Sequence, residues 1–115
     1  MRTNIRERIR QSRFYLDGGM GSMLIAGGYS TNNAEMMNVT NPDVIANIQK
    51  QYINAGSNIV YTNTFGANCK KLGSDANLEQ IIKQGVKIAR SVAGEDNYVG
   101  YSCGPLGELL QPFGD

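Results

Sequence analysis

Three segments of this 115-residue chain place polar or small residues where they could do chemistry: Asp17-Gly18-Gly19, Thr62-Asn63-Thr64-Phe65-Gly66-Ala67-Asn68 and Ser102-Cys103-Gly104-Pro105. Two roles are open to Asp17. Its carboxylate could hold an ammonium group while the backbone N–H groups of Gly18 and Gly19 receive a carboxylate, because glycine permits close backbone approach and a following helix start favours an anion. Equally, Asp-Gly is a common turn signal, and Asp17 could serve only as a turn residue or cap. Thr62 and Thr64 would share one face of a strand, either aiming hydroxyls at a ligand or acting as ordinary strand formers. Cys103 has no base or cation near it in sequence to lower its pKa, and Cys69, beside Lys70 and Lys71, has little more. Both read as small buried residues or loop thiols. Two cysteines without any histidine cannot supply the three protein ligands of a catalytic zinc site.

The glycines do not make a nucleotide site. Gly18-Gly19-Met20-Gly21 has the wrong spacing for a dinucleotide fingerprint, and no Gly-Lys-Ser/Thr occurs. Net charge is +1, which gives no global field to attract nucleic acid or an anionic membrane. The one local excess is Arg2, Arg6, Arg8, Arg10 and Arg13, opposed only by Glu7. No aromatic residue interleaves with these arginines, so they read as a solvated helix face rather than a nucleic-acid patch. No apolar run reaches membrane-spanning length and the N-terminus lacks a signal-peptide core, so the expected compartment is the cytoplasm. Hydrophobic residues at 41% and charged residues at 18% place the chain among folded globular domains.

The elements that must position these segments alternate between strand and helix. Thr3 or Asn4 can cap a short helix carrying Ile5 and Ile9. Phe14-Tyr15-Leu16 is the first strand candidate, and Met20 to Ala26 a weak helix, followed by a polar segment through Thr40. Asn41 as N-cap, Pro42 at the first helical position and Asp43 in the first turn begin a clear helix. Val44, Ile45, Ile48, Tyr52 and Ile53 recur along it at helical spacing, and Gly56 ends it. Asn58 to Thr62 reads as a buried strand and Leu78 to Ala93 as a second helix, capped by Asn77 and ended by Gly94. Within that helix Gly85 costs about 1 kcal/mol against alanine unless close packing needs it. Tyr98 to Ser102 is the third strand. This order predicts an α/β fold with right-handed parallel crossovers, and it puts all three chemical segments at carboxyl ends of strands, where such folds bind ligands.

The same segments resemble a known family. Leu16-Asp17-Gly18-Gly19-Met20-Gly21-Ser22 is similar to the opening motif of the homocysteine S-methyltransferases. Asn41-Pro42-Asp43-Val44-Ile45 with Ala55-Gly56-Ser57-Asn58-Ile59 resembles the next landmark. Thr62 to Asn68 follows, then Gly104-Pro105-Leu106-Gly107-Glu108 with Pro112-Phe113-Gly114-Asp115. The motifs fall in order across nearly the whole chain.

The resemblance implies a (β/α)8 TIM barrel of which residues 1–115 form a truncated N-terminal part, about three βα units, since such a barrel needs about 250 residues. It implies transfer of a methyl group to the zinc-activated thiolate of homocysteine, giving methionine, with zinc held by three cysteinates. Those cysteines lie in late parts of the barrel, and neither Cys69 nor Cys103 matches them. Asp17, Gly18 and Gly19 match residues that bind the amino-acid part of homocysteine, and Thr62 and Thr64 match residues lining the same pocket. Within the family the wording is most similar to the N-terminal module of the cobalamin-dependent methionine synthases, whose methyl group comes from methylcobalamin recharged by methyltetrahydrofolate on other modules. Betaine- and S-methylmethionine-dependent members are the alternative. Against an enzyme stands a second expectation: an inactive barrel remnant serving as a binding or assembly module, or one chain of a split enzyme that joins the rest of the barrel.

Overall fold

The computed structural model describes residues 2–31, 34–67 and 77–104. In chain order the elements are α1 (Ile5–Gln11), α2 (Met20–Ala26), a 3-10 turn (Ala34–Met36) leading directly into α3 (Met37–Thr40), α4 (Pro42–Asn54), β1 (Ile59–Tyr61), α5 (Leu78–Ala93) and β2 (Tyr98–Gly100). The strands pair in parallel, Ile59 with Tyr98, Val60 with Val99 and Tyr61 with Gly100, so β1–α5–β2 is the crossover unit that the alternating pattern predicts.

Burial follows that pattern. Along α4, Ile45 and Ile48 are buried and join Leu24, Ala34 and Ile88 in one apolar cluster, with Val44, Tyr52 and Val92 packed around it. Val60 points to the helical side and meets Ala89 and Ala93 of α5. Strand alternation turns Ile59 and Tyr61 to the other face, where the Tyr61 ring lies over Gly100. A β-carbon there would stand 2.6 Å from the ring, so glycine is what lets the two strands approach. Lower on that face Phe14 meets Tyr98 edge-on, with centroids 5.6 Å apart, and the Tyr98 hydroxyl donates to the Thr3 carbonyl.

Caps agree in part with expectation. Asn4 and Asn77 accept N–H bonds from Arg6 and Gln80, and Gly56 and Gly94 adopt positive φ after α4 and α5. Asn41 does not cap α4 with its side chain. Its Oδ1 is taken by the Thr40 hydroxyl at 2.9 Å, and its backbone carbonyl receives the first helical N–H groups instead. The arginine-rich α1 buries no residue, in keeping with a solvated helix. Among the described residues no helix is long and apolar enough to cross a membrane.

Two expectations need revision. Phe14-Tyr15-Leu16 runs extended beside β1 but forms no ladder with it. Asn58 clasps Tyr15 with both its backbone N–H and its side-chain oxygen (2.8 Å each), and the Asp17 carboxylate, rather than a carbonyl, receives the Tyr61 N–H at 3.1 Å. Side chains thus accept two of these three bonds, where a third strand would have used its carbonyls and those of β1. The polar segment through Thr40 also contains helix. Local propensity hides it, because Asn38, Val39 and Thr40 are poor helix formers.

What holds that segment is tertiary. Asn38 is fully buried, and its Nδ2 donates to the carbonyls of Asn63 (2.8 Å) and Ile81 (3.1 Å) while its Oδ1 accepts from Asn63 (3.0 Å). Close packing at this point explains Gly85. A β-carbon would lie 2.7 Å from Asn38 Nδ2 and 3.0 Å from a Thr64 methyl, and Asn38, tied by those bonds, cannot step aside. Gly85→Ala should therefore lose stability. Overpacking of roughly 1–3 kcal/mol exceeds the propensity gain of about 1 kcal/mol. Urea unfolding with a midpoint at or above that of the unaltered chain would contradict this.

Candidate functional site

At the carboxyl ends of β1 and β2 a cavity of about 430 Å³ opens between the Asp17-Gly18 turn, the segment after β1 and the 3-10 turn. Asp17, Gly18, Glu35, Thr62, Asn63 and Ser102 are among its walls. All three chemical segments therefore reach the cavity, the third through Ser102.

Asp17 anchors the turn and also faces the cavity. One carboxylate oxygen accepts the Tyr61 N–H, anchoring the turn to β1, while the side chain also faces the cavity. Desolvation by burial raises its pKa above the ordinary carboxylate value, opposed by hydrogen bonds from the backbone N–H groups of Tyr61 and of Asp17 itself. A partly desolvated carboxylate is poised to gain from an approaching cation. Gly18 has Tyr52 of α4 against it, with ring atoms 2.7–2.9 Å from where a β-carbon would stand. Gly19 gives its carbonyl to the Tyr52 hydroxyl at 2.8 Å.

Thr62 and Thr64 share a face as expected, and their hydroxyls meet at 2.6 Å. The Ser102 N–H donates to Thr62 Oγ1 at 3.1 Å and Thr64 Oγ1 donates to the Ser102 carbonyl at 2.7 Å. Proton direction follows: Thr64 spends its hydrogen on Ser102, so Thr62 must donate to Thr64. This closed circuit ties the end of β1 to the end of β2. Thr62 is a cavity wall, whereas Thr64 is not among the lining residues and stands behind it. Cys103 is exposed and is not among the lining residues either, and Cys69 lies outside the described residues.

Sequence reasoning missed Glu35 and Tyr52. Glu35 gives the cavity its second carboxylate, and buried Gly66 lies so close that a β-carbon would be 2.8 Å from Glu35 Oε1. No sequence signal marked it, because its segment reads as a polar connection. Tyr52 was legible only as a member of the apolar face of α4. Among the described lining residues there are two carboxylates and neither lysine nor arginine, so the cavity complements a positively charged group.

Comparison with known proteins bears on the family and the fold. The family profile for homocysteine S-methyltransferase matches residues 14–114. The methionine synthases of Mycobacterium leprae and Mycobacterium tuberculosis are each 33% identical over 119 residues, covering 90% of this chain and 10% of their own length. The chain thus spans about a tenth of the curated relatives it matches. The crystal structure of the homocysteine methyltransferase MmuM from Escherichia coli, in its metallated form, superposes with a TM-score of 0.76 at 24% identity over 90% of this chain and 42% of that one. That likeness shows the fold: an α/β segment matching part of a TIM-barrel methyltransferase. The profile match over residues 14–114, with relatives 33% identical and this fold, means that the chain belongs to the homocysteine S-methyltransferase family.

Proposed function

We propose that the chain supplies part of the homocysteine-binding end of a homocysteine S-methyltransferase of the methionine synthase type. The observation that carries this reading is the meeting of Asp17, Gly18 and Thr62 at one acid-walled cavity at the strand ends. Homocysteine is a zwitterion at neutral pH. Its ammonium group suits Asp17, with Glu35 adding negative potential, and its carboxylate suits the backbone N–H groups of the Gly18-Gly19 turn. Thr62 forms the cavity wall and Thr64 holds Thr62 in place. The methyl donor, methylcobalamin recharged by methyltetrahydrofolate, belongs to other modules in this reading, and the remaining barrel strands to residues beyond these.

Zinc is the cofactor that the family implies, and the residues here do not fit it. The centre that the family implies takes three cysteinates, whereas the chain has two cysteines. Among the described residues no three His, Cys, Asp or Glu side chains converge as a metal site. No step of methyl transfer is therefore assigned to this chain. The expected result is sub-stoichiometric zinc after dialysis, measured by atomic emission, and one retained zinc per chain would contradict it.

Calorimetric titration with L-homocysteine and with 4-mercaptobutyrate, which lacks the amino group, tests the reading. Homocysteine should bind at least about tenfold more tightly, because the charge-assisted contact to Asp17 is missing from the analogue. Equal affinities, or no binding of homocysteine, would refute the proposed subsite.

A further inference from the structure

The Asp17-Gly18-Gly19 turn is gripped from behind by the end of α4 and the residues that follow it. Tyr52 Oη donates to the Gly19 carbonyl at 2.8 Å, and its ring fills the space that a Gly18 side chain would need. Ser57 Oγ donates to the Leu16 carbonyl at 3.2 Å, on the other side of Asp17. Ser57 is itself fixed, its N–H bonded to the Tyr52 carbonyl at 3.0 Å. The two carbonyls flanking Asp17-Gly18 are thus held by two side chains from one rigid corner. A trans peptide unit carries its N–H opposite its C=O, so fixing the Leu16 and Gly19 carbonyls fixes the Asp17 and Met20 peptide planes, the two ends of the turn that presents the Gly18 and Gly19 N–H groups.

We infer that Tyr52, with Ser57 as its second arm, is a positioning residue that sets the stereochemical selectivity of the amino-acid subsite. This rests on the homocysteine reading above. Tyr52 touches no substrate; it acts through the turn. The ammonium and carboxylate sites fix two groups on Cα, and the cavity wall at Thr62 supplies the third contact that discriminates L- from D-homocysteine by where the side chain points; the discrimination weakens when the turn can rotate. Simple loss of packing would lower the affinity for both enantiomers by the same factor.

The test measures Kd for L- and D-homocysteine by calorimetry on the full chain and on Tyr52→Phe, which keeps the ring and removes the hydroxyl. The expected result is about a fivefold weaker Kd for the L form, the size of one lost hydrogen bond, with a smaller change for the D form. The melting midpoint should change little, because water can take over the exposed Gly19 carbonyl. Ser57→Ala should shift the enantiomer ratio the same way and serves as the second variant should Tyr52→Phe fold poorly. An unmoved ratio, or equal weakening of both enantiomers, overturns the inference. Asp17→Asn included alongside separates the failures. If Asp17→Asn abolishes binding and Tyr52→Phe leaves both constants alone, the positioning role falls and the subsite stands; if the unaltered chain binds neither enantiomer, both fall.

Discussion

Asp17→Asn should weaken L-homocysteine binding by roughly 10- to 150-fold, the equivalent of a charge-assisted hydrogen bond worth about 1.5–3 kcal/mol, while leaving the fold at least as stable. Asparagine keeps an oxygen that can accept the Tyr61 N–H, so the anchor between the turn and β1 survives. What it loses is the charge that the ammonium group needs. The stability effect has a sign. Burial raises the Asp17 pKa in the folded chain, so folding favours the protonated form. The stabilising contribution of the protonated group is fully present below the unfolded pKa, about 3.9, and is lost as pH rises through the folded value. At neutral pH the ionised carboxylate is a net cost to the fold, and the neutral amide removes that cost. Thermal melts from pH 3 to pH 7 should show a flatter pH dependence for the variant. Lower stability at pH 7 with binding intact would assign Asp17 to the structure and not to the ligand.

Asn38→Ala should cost about 3 kcal/mol, a large share of the 5–15 kcal/mol that holds typical domains together. Its amide is fully buried and makes three hydrogen bonds, and truncation leaves the Asn63 carbonyl in the interior without that donor. An unsatisfied buried group costs roughly 1–3 kcal/mol, and the vacated space beside Gly85 adds a cavity penalty. Asn63 also lines the cavity and ties itself to the Ala34 carbonyl, so binding should weaken along with stability. Urea unfolding within about 0.5 kcal/mol of the unaltered chain would show that the paired amides are replaceable by water.

Much of this was legible in the residues. The helix over Pro42–Asn54 followed from its proline, its apolar spacing and Gly56, and Leu78–Ala93 from its cap and its stripe of Ile81, Ala89 and Val92. The β1–β2 pairing followed from β-branched and aromatic runs alternating with those helices. Asp17, Gly18 and Thr62 were found because strand ends collect polar residues in this class of fold. The rest depends on contacts between parts distant in sequence, which local pattern does not encode. The Ala34–Thr40 helical turns exist because Asn38 finds Asn63 and Ile81. Glu35 enters the cavity only once those turns form. The Phe14–Leu16 segment has the composition of a strand, yet the Asn58 side chain takes the Tyr15 N–H and the Asp17 side chain takes the Tyr61 N–H. The cost of Gly85 in α5 was readable from composition, but its reason, the Asn38 amide lying against it, was not.

In the proposed subsite homocysteine seats between the Asp17-Gly18-Gly19 turn and the end of β1. Backbone amide NMR of the chain during L-homocysteine addition tests it directly. The resonances of Gly18, Gly19, Tyr61 and Thr62 should move together along one saturable curve while those along α5 stay still. Shifts confined to the exposed face of α5, around Gln80 and Lys83, or no saturable shifts at the turn, would contradict it.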